Sequence, residues 1–256
     1  QTDGAWRLAT ELPAIEKDLP ESVRGMIERK ISQLSEEDRR LLGVASVQGY
    51  EFDSAIAARV LGLAPDEVEE RLEKLERVYG FVRLLREAEF PNHELTLRYR
   101  FVHALYQNAL YNELRATRRA TLSRDVAQAL ETCHGQQCVH AANELALLWE
   151  AARDYAKASA YFAIAARQAA KVFADAESAE LARRGLHALA QTPETPERTD
   201  QELALQVMHG VALRAVKGFA DPAVGEAFAR ARELCPHSGQ NARLVPVLRG
   251  LWEYYE

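Results

Sequence analysis

The sequence predicts a mainly helical protein with a single β-hairpin, and three observations carry that reading. Apolar residues recur at helical spacing through most of the 256 residues. The period switches to two only once, where Leu95, Leu97, Tyr99 and Phe101 alternate with Thr and Arg. Late in the chain, "QELALQVMHGVAL" aligns with "NARLVPVLRGLWE" at a shift of about 40 residues, Gly210 over Gly250, which is the period of stacked helix pairs.

The first helical stretch runs from Ser22 to Val47, with Val23, Met26, Ile27, Ile31, Leu34, Leu41, Leu42 and Ala45 on one side. Ser35, followed three residues later by Asp38, is a start signal inside it, so the stretch predicts two helices. A short helix is expected around Ser54 to Leu61. Another begins at Pro65, buries Val68, Leu72 and Leu75, and stops at Gly80. Phe81–Arg86 and Leu95–Phe101 are the two strands, with "EAEFPNHE" as the loop between them. Three helices followed by a hairpin is the layout of a winged helix, here residues 21–131 with the trailing helix His103–Glu131 included.

Helices then fill the rest: Ala141–Ala152, Tyr155–Lys171, Asp175–Ala190, Gln201–Lys217, Pro222–Leu234 and Ala242 onward. Between them lie "CHGQQC", "TPETPE", "KGFADP" and "CPHSG". Leu145, Ala146, Trp149, Ala158, Phe162 and Ala165 fall on the large and small packing positions of a tetratricopeptide pair. Residues 139–256 are therefore expected to form a tetratricopeptide-like α-solenoid, cut short at its C-terminal edge.

Composition excludes several functions. A formal charge of −6 gives no general attraction to nucleic acid or to an anionic membrane. No run of 18 apolar residues exists to span a bilayer. Three cysteines, an odd number in a long chain, point to a reducing cytoplasmic setting. No nucleophile elbow, H-E-x-x-H or Gly-rich phosphate loop occurs, so no catalytic residue and no cofactor are assigned to this chain.

"LPESVRGMIERKISQLSEEDRRLLGVASVQGYEF", "YRFVHALYQNALYNEL" and "RRATLSRDVAQALE" resemble the segment that follows the nucleotide-binding core in STAND-class regulatory ATPases of bacteria. "QELALQVMHGVALRAVKGFADPAVGEAFARARELC" resembles the repeat region of the same proteins. These join a P-loop ATPase, a winged helix and a helical-repeat sensor to an effector: a nucleotide cyclase, a protein kinase or a DNA-binding domain. G-x-x-x-x-G-K-[ST] is absent here. The resemblance therefore implies that the ATPase core, with its ATP, ADP and Mg²⁺, lies upstream of Gln1. Residues 1–20 would be a linker to it, and a protein or small-molecule inducer would meet the repeats. Ser123 departs from the pattern, because many relatives carry His there.

The resemblance also gives His103 a role. In STAND proteins a histidine at the end of the winged helix reaches the β-phosphate of ADP and holds the closed, inactive state. A helix N-terminus beside an imidazole N–H suits a phosphate oxygen; the plain alternative is a residue that caps its own helix or fills an interface. Other candidates rest on residue type alone. Arg115, Arg118 and Arg119 share one helical face as a basic patch. Leu251, Trp252 and Tyr255, at the apolar end of the repeats, are candidates for partner contact. Cys133, His134, Cys138 and His140 have zinc-like spacing, but nothing supports them as a second cluster would, so no metal is assigned. The helix Asp66–Val78 would be the recognition helix of a DNA-reading winged helix. Its six carboxylates against three basic residues repel phosphates. The rival readings are a repeat scaffold without switching and a winged-helix transcription regulator.

Overall fold

The structure, a computed structural model, describes the backbone of residues 21–238 and the side chains of residues 25–235. The linker 1–20, the helix from Ala242, Gly250 of the repeat alignment, and Leu251, Trp252 and Tyr255 lie outside the described residues. Among the described residues the chain is mainly helical with one small sheet, and it divides into two compact units, 1–119 and 120–256.

Among the described residues, the first unit begins with α1 (Glu21–Ser32) and α2 (Glu36–Gln48). They separate at Ser35, whose Oγ accepts the Asp38 N–H at 3.1 Å, as the start signal predicts. A strand of three residues, β1 (Glu51–Asp53), follows; it is too short to carry a period and the sequence did not announce it. After α3 (Ser54–Leu61) and α4 (Pro65–Lys74), a single π-helical turn over Leu75–Tyr79 ends on Gly80, whose φ of 60° needs a residue without Cβ strain. Strands β2 (Val82–Glu89) and β3 (Leu95–Phe101) then form the expected hairpin. Strand β1 pairs with the other edge of β3, so the antiparallel order is β1-β3-β2. Phe52 stacks on Tyr99 with ring centroids 5.9 Å apart, and Phe101 lies against Phe52 at 5.4 Å. These rings, with Leu41, Leu42, Ile56 and Leu72, make the core.

The alternation predicted for β3 fails at one end. Leu95 is 75% exposed and Thr96 is buried instead. The cause is polar: Thr96 Oγ1 accepts the Ala55 N–H at 3.2 Å, satisfying a donor in the first turn of α3. The long helix expected over His103–Glu131 is also two helices, α5 (Ala104–Glu113) and α6 (Ala116–His134). Leu114 turns to an extended ψ of 124° and its side chain packs beside Gly43. Its carbonyl is taken by Arg119 Nη2 at 3.3 Å, so the break is stabilised without Gly or Pro.

In the second unit, α7 (Ala142–Ala151), α8 (Tyr155–Lys171), α9 (Asp175–Leu189), α10 (Pro196–Lys217) and α11 (Pro222–Ser238) each pack on the next. A 3₁₀ segment, Gly135–Ala141, leads in from α6, where an open loop was expected. Trp149 and Phe162 are buried, as their packing positions predict. The helix expected from Gln201 starts earlier, because Thr195 Oγ1 accepts the Arg198 N–H and Pro196 needs no donor partner in the first turn.

Candidate functional site

His103 is the first residue after β3 and Val102, and it stands at the N-cap of α5 with φ −135° and ψ 138°. It caps through its carbonyl, which accepts the Tyr106 N–H at 3.0 Å; its imidazole makes no cap bond. The side chain is exposed, with its ring 5.7 Å from the Tyr106 ring. The capping alternative thus fails for the imidazole. Tyr106 brings a second group to the same place. Lys30 Nζ, from α1, donates to the Tyr106 hydroxyl at 3.1 Å and lies 4.8 Å over its ring and 5.1 Å over that of Phe81. An ammonium so held keeps further N–H donors for an acceptor. Nothing in the local sequence around Lys30 marks it; the fold alone brings it across 76 positions of chain.

The basic patch is smaller than the helical face suggests. Arg115 and Arg118 are exposed, but Arg119 turns inward over the Tyr111 ring at 4.7 Å and bonds the Leu114 carbonyl. Its role is to close the α5–α6 break. Ser123 is buried in α6.

Helix α4 is as acidic in space as in sequence. Arg71 and Lys74 reach the buried Asp38 at 3.7 Å each, Arg71 also binds Glu67, and Arg77 pairs with Glu73. All three basic groups are engaged locally, while Asp66, Glu69 and Glu70 remain. Burial, then Asp66 and Glu87, hold the Glu69 carboxyl above its ordinary value. Tyr99, under this helix, is pushed up to about 12 by burial and by Glu76, Glu69 and Glu73.

Of the zinc-like residues, Cys133 is buried in α6 and His140 is exposed, while Cys138 Sγ lies 3.0 Å from the Gly135 carbonyl. Among the described residues, no three His, Cys, Asp or Glu side chains converge as a metal requires. A polar knot that sequence reasoning missed sits nearby. Glu131 Oε1 accepts from Trp149 Nε1 at 3.0 Å and Tyr161 Oη at 2.9 Å, and Oε2 pairs with Lys157 at 3.3 Å. Lys157 also lies 3.8 Å over the Trp149 ring. Burial and the Glu131 bond raise the Tyr161 phenol well above its usual range. The knot ties α6 to α7 and α8 and leaves no reactive group open. Among the described residues, no helix is long and apolar enough to cross a membrane.

No protein-family model matches the chain, and no curated protein and no solved structure matches it at a significant level.

Proposed function

We propose that this chain is the non-catalytic regulatory part of a STAND-type ATPase signalling protein. A winged helix relays the nucleotide state of an upstream P-loop ATPase, helical repeats receive a protein or small-molecule signal, and an attached cyclase, kinase or transcription module answers. The observation that carries the reading is His103. Its imidazole is exposed, unengaged in capping, and set at a helix N-terminus, 5.7 Å from the ring of Tyr106, whose hydroxyl also takes the Lys30 ammonium. That combination suits the oxygens of an ADP β-phosphate presented by another domain. The order α2-β1-α3-α4-β2-β3 with sheet order β1-β3-β2 favours a winged helix. For a solenoid speaks the packing of each helix on the next, with α10 also meeting α8. The acidic α4, whose basic residues are already paired, disfavours the DNA-reading alternative.

The test is His103→Ala in the full-length protein. One charge-assisted hydrogen bond is worth roughly 1.5–3 kcal/mol. ADP should therefore bind about 10- to 150-fold more weakly at ~1.4 kcal/mol per decade, and basal output should rise. Lys30→Ala should act in the same direction. Because the imidazole is exposed, the stability of the chain should change by under about 0.5 kcal/mol. Unaltered ADP affinity in the variant would sink the reading.

A further inference from the structure

A second polar site lies at the end of the β2–β3 hairpin, and it does not depend on the STAND reading. Arg83 and Arg100 are direct cross-strand partners, so their side chains leave the same face of the sheet. Like charges placed directly opposite destabilise a hairpin unless something lies between them. The neighbouring pair on that face, Arg86 and Arg98, is relieved: Arg98 binds Asp53 at 2.9 Å and Glu51 at 3.3 Å. Arg83 and Arg100 have no such relief. Glu51 stands opposite Arg100 on β1, yet its carboxylate goes to Arg98. Neither Arg83 nor Arg100 has an ion pair among the described residues.

Both arginines line a pocket of about 360 Å³ together with Glu76, Gly80, Val82 and Val102. Small-molecule sites begin near this size, at roughly 300 Å³. Glu76 is fixed from the π-helical turn by the Leu84 N–H, which donates to Oε1 at 3.3 Å, and no hydrogen bond holds Oε2. Carboxylate and guanidinium groups thus share one cavity without pairing across it. At Gly80, which completes the lining, an added Cβ would come within 3.9 Å of Lys30 Nζ.

We propose that this pocket binds a free α-amino acid, its carboxylate on Arg83 and Arg100, its ammonium on Glu76 and its side chain along the exposed Val102. The charges decide the class. Two guanidiniums offer the forked donors that a carboxylate takes. A phosphate dianion would meet the Glu76 charge, and a simple amine would meet both arginines. A molecule carrying both signs satisfies all three charged groups that line the cavity.

Each of the twenty common L-amino acids, at about 10 mM, is added to the chain in a thermal-shift assay, with inorganic phosphate and ethylamine as comparison probes. At least one amino acid should raise the melting temperature, and phosphate and ethylamine should not. Isothermal titration of the best amino acid should give a single site. Its affinity should fall at least tenfold in Arg83→Ala, in Arg100→Ala and in Glu76→Gln, and hold in Arg86→Ala on the same face. Folding of each variant is checked by circular dichroism, and Arg83→Lys gives a second readout that keeps the charge and loses the fork. No response to any amino acid overturns the proposal. So does a response that survives the substitutions, or one in which phosphate binds as well as the amino acid does. Salt-sensitive duplex-DNA binding lost with Arg83 and Arg100, in place of amino-acid binding, overturns it in favour of a nucleic-acid contact.

Discussion

Gly43 in α2 and Gly185 in α9 are both buried in mid-helix, but a methyl group added to each meets a different neighbourhood. At Gly43 the nearest atom is Leu114 Cδ2 at 3.7 Å, an ordinary contact. At Gly185 the methyl would lie 2.9 Å from Leu205 Cδ2 and 3.2 Å from Phe162 Cβ. Gly210 is similar, with the Phe228 ring at 3.0 Å. The two units therefore build cores differently. The first fills space between helices and sheet with large side chains: Leu41, Leu42, Phe52, Ile56, Phe81 and Phe101. The second sets a few rings, Trp149, Phe162 and Phe228, against Ala and Gly, so that helices approach closely. A core of the first kind is broken by taking atoms away. One of the second kind is also broken by adding them.

The largest expected effects come from removing rings. Phe101→Ala in the first unit and Phe162→Ala in the second should each cost about 3–5 kcal/mol, read as a shift in denaturant midpoint. Hydrogen exchange should confine each loss to its own unit; a loss of protection in both from one substitution would break the comparison. Next comes enlargement. Gly185→Val and Gly210→Val should destabilise by about 1–3 kcal/mol. Gly43→Ala has room and gains helix propensity, so it should stabilise by roughly 0.5–1 kcal/mol. Equal outcomes at the three glycines would erase the distinction.

A further difference concerns acid. His209, on α10, faces Arg183 and Glu180 of α9 and Lys217 of its own helix. Burial, then Arg183, holds its imidazole below the ordinary histidine value, with Lys217 acting the same way and Glu180 opposing. The folded state thus keeps His209 neutral while the unfolded chain still takes up a proton. Unfolding binds protons in that window, so stability should fall as pH drops below about 6.5 and level off once the folded imidazole has titrated. His209→Gln should flatten this slope in the second unit's unfolding free energy between neutral pH and pH 5. A slope left unchanged would place the acid sensitivity elsewhere.

Much of the fold could be read from the sequence where a local rule acts. The Ser35 cap, Pro65 and Gly80 mark helix ends through backbone chemistry, and the hairpin follows from the period-2 alternation of Leu95, Leu97, Tyr99 and Phe101. The errors arose where a distant group overrode a local one. Thr96 is drawn inward by the first turn of α3, 41 positions away, and Leu95 is turned out as a result. The α5–α6 break depends on Leu114 meeting Gly43 and on Arg119, neither of which is a breaker by residue type. The candidate site was legible in part for the same reason. His103 stands out at a strand-to-helix junction, a one-dimensional feature. Lys30, the Arg83–Arg100 pair and Glu131 matter only through register and tertiary contact.

An effect as small as that of Gly43→Ala is expected at the turns. Helices α7 and α8 both end with a residue in the left-handed region that is not glycine, Arg153 at φ 60° and Phe173 at φ 58°. The bonds match at both places. The Asp154 N–H reaches the Trp149 carbonyl and the Arg153 N–H the Glu150 carbonyl; Ala174 and Phe173 repeat this to Ala169 and Ala170. This paired closure is the one glycine usually serves, as Gly62 does after α3. A left-handed conformation costs a residue with a Cβ about 1–2 kcal/mol, and glycine returns part of that gain as unfolded-state entropy. Phe173 is 87% exposed, so its ring contributes little packing in this unit. Phe173→Gly should therefore stabilise the second unit by roughly 0.5–1 kcal/mol, and Arg153→Gly by a similar amount. If Phe173→Gly instead destabilises while Arg153→Gly does not, the Phe173 ring is engaged by a neighbour, and the turn carries a contact rather than a strained backbone alone.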